Sequence, residues 1–163
     1  MNYADTSELL EVLNKYVAYE NIDIKTEIED WRGKILHDDF LTIDNENVRI
    51  EVSDGGIIIG YFTDHTHFDD STFELQDGEP NYLERAKEFI DELFTYKIKQ
   101  VNYYRKGELV KDKYYFIAEN GAEGEFIGGA TYHICLFGRN SIIKTETVWQ
   151  YDKEKQSFVK CTP

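Results

Sequence analysis

The chain has 163 residues, 41% of them hydrophobic and 15% aromatic, enough to bury a core of its own and too short for two domains of ordinary size. Its 32 Asp+Glu outnumber 18 Lys+Arg, for a net charge of −14, which argues against nucleic acid or an anionic membrane surface as partner. No apolar run reaches the length of a membrane span, the start is not that of a signal peptide, and Cys135 and Cys161 are not spaced as a CxxC pair, so a cytoplasmic, unprocessed protein with reduced thiols is expected.

In chain order, Asp5-Thr6-Ser7-Glu8 offers N-cap oxygens, and Leu9, Leu10, Val12, Leu13, Tyr16 and Val17 recur at helical spacing, predicting an amphipathic helix over 6–19. Ile22, Ile24 and Ile28 alternate with polar residues, and residues 34–37 and 40–43 form further short apolar runs, each read as a short strand. Val48, Ile50 and Val52 alternate with Arg49 and Glu51. Ser53-Asp54-Gly55-Gly56 then leads into Ile57-Ile58-Ile59, a hairpin in which the Asp-Gly step supplies the positive φ. The second arm is expected to run on through Tyr61-Phe62 into the segment 63–70, with a further strand around Phe73 and Leu75 and a break at 77–80.

Tyr82, Ala86, Phe89, Ile90 and Leu93 then mark residues 81–95 as the best helix in the chain, its other face carrying Glu84, Glu88, Asp91 and Glu92. Runs at 98–104, 109–117, 126–137 and 142–151, separated by turn residues, predict an antiparallel meander. With no internal repeat and no linker, the expectation is one α+β, sheet-based domain over 1–163: an N-terminal helix, an antiparallel β-meander, one central helix, then a second run of antiparallel strands.

The charge is uneven. Residues 1–95 carry 24 acids against 7 bases, and residues 96–163 carry 8 against 11, so the halves stand at −17 and +3. If the first half folds together, its acids converge on one negative surface that attracts a basic protein; the plainer reading of the same charge is solubility.

The sharpest chemical candidate is Asp64-His65-Thr66-His67-Phe68-Asp69-Asp70. On an extended segment His65 and His67 project to one side, and with Asp69 they would hold a metal ion. The segment approximates the H-x-H-x-D-H motif of metallo-β-lactamases but departs from it, because Asp70 stands where that family has His. A metal-dependent hydrolase is therefore the alternative reading, with hydrogen bonding at a strand end as the structural one. Cys135 reads as a core residue, no triad or phosphate-binding loop is recognisable, and no cofactor is expected. Tyr103-Tyr104 and Tyr114-Tyr115 around Lys106-Gly107 are expected to alternate, one of each pair inward and one outward. Trp31 and Trp149 suit either a core or an interface.

Gly55-Gly56-Ile57-Ile58-Ile59-Gly60-Tyr61-Phe62, His65-Thr66-His67-Phe68, Ala86-x-x-Phe89-Ile90-x-x-Leu93 and Val101-x-Tyr103-Tyr104-x-x-Gly107 stand in an order that resembles the immunity proteins of bacterial polymorphic toxin systems, over about residues 48–107. The resemblance implies a small non-enzymatic antidote that blocks a cognate toxin domain by direct contact, and it transfers no contact residue. Many toxin domains are nucleases with basic grooves, so acids between residues 38 and 92 are the expected recognition face. Asp64, Asp69, Asp70 and Glu74 are its candidate centre, and Tyr61 and Trp31 its anchors.

Overall fold

The computed structural model describes residues 3–69, 81–118, 121–132 and 141–161. Among these residues it is an α+β protein with two α-helices and two antiparallel five-stranded sheets. The chain gathers into two compact units, one formed by Met1–Phe94 with Asp152–Ser157, the other by Thr95–Tyr151 with Phe158–Pro163. The strands expected around Phe73 and Leu75, the break at 77–80, the turn near Arg139-Asn140 and Cys135 lie outside the described residues.

In the first unit, α1 (Tyr3–Leu13) precedes β1 (Ile22–Trp31), β2 (Lys34–Ile43), β3 (Val48–Ser53), β4 (Gly56–Tyr61) and β5 (Asp64–Phe68), which pair in sequence order as a meander, and α2 (Tyr82–Thr95) follows. Alternation decides the faces. Ile43, Val48 and Tyr61 share one row, Leu41, Ile50 and Ile59 the next, and Val52, Ile57 and Phe68 a third, all buried. Both helices bury their apolar stripes, Leu9, Val12 and Leu13 from α1 and Ala86, Ile90 and Leu93 from α2. The Phe89 ring packs on Tyr61 and Phe68, and Thr6 donates to the buried Asp39 of β2 at 2.9 Å. Across the helices Tyr16 stacks on Phe94, its hydroxyl donates to Asp91, and Lys87 pairs with Glu8.

Three expectations change. The first helix ends at Leu13 rather than residue 19: Lys15 and Tyr16 donate back three residues instead of four, so the chain tightens into turns that still bury Val17. The helix also begins at Tyr3 rather than residue 6, so Thr6 lies inside it instead of at its N-cap, and the Thr6 hydroxyl donates to Asp39. The two short strands read at 34–37 and 40–43 are one ten-residue strand, paired with β1 along its whole length around an Arg32-Gly33 turn with both φ positive.

The second sheet has the order β10-β9-β6-β7-β8, built from β6 (Lys97–Arg105), β7 (Glu108–Ile117), β8 (Glu123–Gly128), β9 (Ile143–Asp152) and β10 (Ser157–Cys161). β6, β7 and β8 form the expected meander. β9 instead crosses to the free edge of β6, and a fifth strand follows it, carrying the buried Phe158 against Tyr151. Trp149 belongs to the sheet: its indole N–H donates to Gln100, whose amide donates to Tyr114. The Tyr114-Tyr115 pair alternates as expected, Tyr114 buried and Tyr115 against Phe126, whereas a bulge between Tyr103 and Tyr104 leaves both half-buried. Glu146 of β9 joins Lys99 and Lys144, which hold its carboxyl below the usual range.

Candidate functional site

The sequence predicts that β4 runs on through segment 63–70, yet the chain reverses at Phe62-Thr63. Tyr61 pairs with Asp64, so Phe62-Thr63 is a two-residue turn, and Phe62 takes a φ of 52° while its N–H donates to the Asn47 carbonyl. A bulky residue at positive φ is an uncommon turn-former, which is why the sequence gives no cue here. The hairpin before it also turns differently from expectation. Among its glycines the positive φ, 134°, falls on Gly56 and not Gly55. A Cβ at Gly56 would come within 2.6 Å of the Phe68 carbonyl and 2.8 Å of Asp69 Cβ, so this glycine lets the end of β5 and Asp69 close against the β3–β4 turn.

These turns sort the candidate residues. His65 and His67 do project to the same side, their rings 5.0 Å apart on the face of the sheet away from the core. Asp64 lies on the opposite, core-side row with Tyr61; Oδ1 accepts from the His65 N–H at 2.9 Å, while Oδ2 is buried without a hydrogen bond. Asp69 is half-buried. Tyr61 is 1% exposed, its ring on Phe89, and is therefore a core residue and not a surface anchor. Trp31 closes β1 beside the Arg32-Gly33 turn. Asp70 and Glu74 lie outside the described residues. Among the described residues no three His, Cys, Asp or Glu side chains converge as metal ligands.

Beyond Asp39, β2 has no strand partner among the described residues other than β1, because β3 reaches only Val52 opposite Asp39. Among the described residues the β1–β2 hairpin thus runs past β3 as a two-stranded arm. Its core-side row continues outward as Ile28 and Ile35, 66% and 59% exposed. The root of the arm is fixed by Asp39, which accepts from Thr6 at 2.9 Å and from Thr26 at 2.6 Å.

Charge follows the units closely. The first unit holds 26 acids against 9 bases, the second 6 against 9, so the difference of −17 and +3 read along the sequence coincides with two separately packed bodies. Within the first unit Lys34 pairs with Asp54 and holds its carboxyl well below the usual range, and Lys15, Arg85 and Lys155 likewise sit on carboxylates. Glu11, Glu20, Asp23, Glu29 and Glu46 are exposed and, among the described residues, carry no ion pair. Among the described residues no helix is long and apolar enough to cross a membrane.

Compared with protein-family models, with curated proteins and with solved structures, the chain matches none.

Proposed function

We propose that the protein is a non-catalytic cytoplasmic binding protein that neutralises a basic partner domain by direct contact, in the manner of the immunity proteins its sequence resembles. One observation carries the reading: an excess of 17 negative charges is confined to one compact unit, with exposed carboxylates left uncompensated. Such a unit draws a basic domain through solvent and raises the rate of encounter. A nuclease-type toxin domain, whose substrate groove must be basic, is the partner that this charge suits best. The contact surface falls on the first unit, where Asp64 and Asp69 belong; Asp70 and Glu74 remain proposed contributors, as does Trp31.

The test is capture of a partner by the tagged protein from its native cell, followed by kinetics with that purified partner between about 10 and 150 mM salt. Over this range the screening length falls from about 30 to about 8 Å. The expected result is one dominant basic partner whose activity is blocked on binding and whose association rate falls at least tenfold as salt rises. A partner that keeps its activity in the complex, or an association rate indifferent to salt, overturns the proposal. The paired imidazoles of His65 and His67 keep a metal-dependent hydrolase as the second reading, which stoichiometric zinc or manganese lost in a His65→Ala variant would favour.

A further inference from the structure

The face of the first sheet turned away from the helices carries a depression of about 360 Å³. Its shape follows from one missing side chain. Thr42, Arg49, Gly60 and His65 stand in one row across β2, β3, β4 and β5, so the two nitrogen-bearing side chains flank a glycine that projects nothing between them. Arg49 and His65 start from strands two apart, roughly 9–10 Å at the backbone, close enough to lean over Gly60 toward one small group. The neighbouring row supplies Phe40 and Ile58 as apolar walls and Glu51 at the lip.

The electrostatics of Arg49 are unusual for this unit. Lys15, Lys25, Lys34, Arg85, Lys87 and Lys155 of this unit sit on carboxylates, yet among the described residues Arg49 makes no ion pair or hydrogen bond despite the large excess of acid and despite Glu51 two residues away. A guanidinium presents a planar fork that matches one carboxylate with two parallel hydrogen bonds. The Thr42 hydroxyl and the His65 imidazole add donors on the same row. Glu51 and the −17 of the unit oppose a doubly charged group such as phosphate, which leaves a singly charged one. The volume lies in the range of small-molecule sites and exceeds what a bare ion needs, and Phe40 and Ile58 would bury an apolar body.

We infer that this depression is a binding site for a small monocarboxylate with an apolar body, its carboxylate held by Arg49 over Gly60 and its body against Phe40 and Ile58. The site is independent of the partner-binding surface proposed above.

The test is an NMR titration of the whole protein with benzoate, alongside its neutral isostere benzamide and inorganic phosphate. Benzoate is expected to saturate with a Kd on the order of 1 mM, as a ligand of so few atoms would, shifting the amides of Arg49, Gly60 and His65. Benzamide and phosphate should bind at least tenfold more weakly. Arg49→Gln should weaken benzoate at least tenfold, and Lys153→Gln, which removes an exposed cation of the same unit elsewhere, should leave it unchanged. Gly60→Val should abolish binding with the fold intact, since a Cβ there meets nothing closer than 3.5 Å. Should Gly60→Val fail to fold, the exposed Arg49 carries the test alone. No saturable shift with benzoate, equal binding of benzamide, tighter binding of phosphate, or equal losses in Arg49→Gln and Lys153→Gln would each overturn the assignment.

Discussion

The root of the β1–β2 arm offers a perturbation whose size follows from the structure. Asp39 is 5% exposed and accepts from two hydroxyls, Thr6 on α1 at 2.9 Å and Thr26 on β1 at 2.6 Å. Thr6→Val keeps the shape of the side chain and removes one donor, leaving Oδ2 of a buried carboxylate unpartnered. Hydrogen bonds to charged groups contribute about 1.5–3 kcal/mol, and the methyl that replaces the hydroxyl at a site 7% exposed returns about 0.8 kcal/mol or less. The net loss is about 1–2 kcal/mol. For a unit of about 100 residues that is a fall in Tm on the order of 4–8 °C per kcal/mol, readable by calorimetry or by urea unfolding followed by circular dichroism. Thr26, on an exposed stretch of β1, should cost less when changed to Val, since water can reach the carboxylate side it vacates. The pair should be non-additive in a double-mutant cycle, because both hydroxyls serve one carboxylate. A Thr6→Val variant within 0.3 kcal/mol of the parent, or a Thr26→Val variant that costs more than Thr6→Val, would refute this account of the arm's anchor.

Gly56→Ala should destabilise by about 3 kcal/mol or more, combining a φ of 134° with a Cβ driven to 2.6 Å from the Phe68 carbonyl, whereas Gly60→Ala on the same strand should fall within about 1 kcal/mol of the parent; equal losses in urea unfolding would sink the distinction. Glu146, whose carboxyl Lys144 and Lys99 hold down, contributes stability that is present above the unfolded carboxylate pKa and fades as pH falls through its lower folded value. Because the group is exposed, the contribution is about 0.5 kcal/mol or less, and Glu146→Gln should flatten the acid limb of the stability curve by that amount; an unchanged acid limb would show the clasp to be idle.

Where the chemistry was local, the sequence by itself determined the outcome. The spacing of Tyr82, Ala86, Phe89, Ile90 and Leu93 fixed α2 to within a residue, because an apolar stripe of period 3.6 has no other way to be buried. Alternation through Val48, Ile50 and Val52 fixed which face of β3 points inward and placed His65 and His67 on one side of β5, since the side-chain period of a strand is two. The charge difference along the chain was also legible, being a sum over residues.

Tertiary structure alone decided the rest. The first helix stops at Leu13 although apolar spacing continues to Val17, because burial needs only that a side chain reach the core and tight turns achieve that as well. The turn at Phe62-Thr63 depends on the pairing of β4 with β5, which overrides the local cost of a positive φ at a phenylalanine. Tyr61 became core and Asp64 its neighbour on the same face through that register. Arg49, Gly60 and His65 lie on three successive strands, and only the register in which β3, β4 and β5 pair sets a guanidinium and an imidazole on either side of a position without a side chain. Composition and periodicity constrain each element separately; which residues face one another across a sheet is set by long-range pairing, and that information resides in no single segment of the chain.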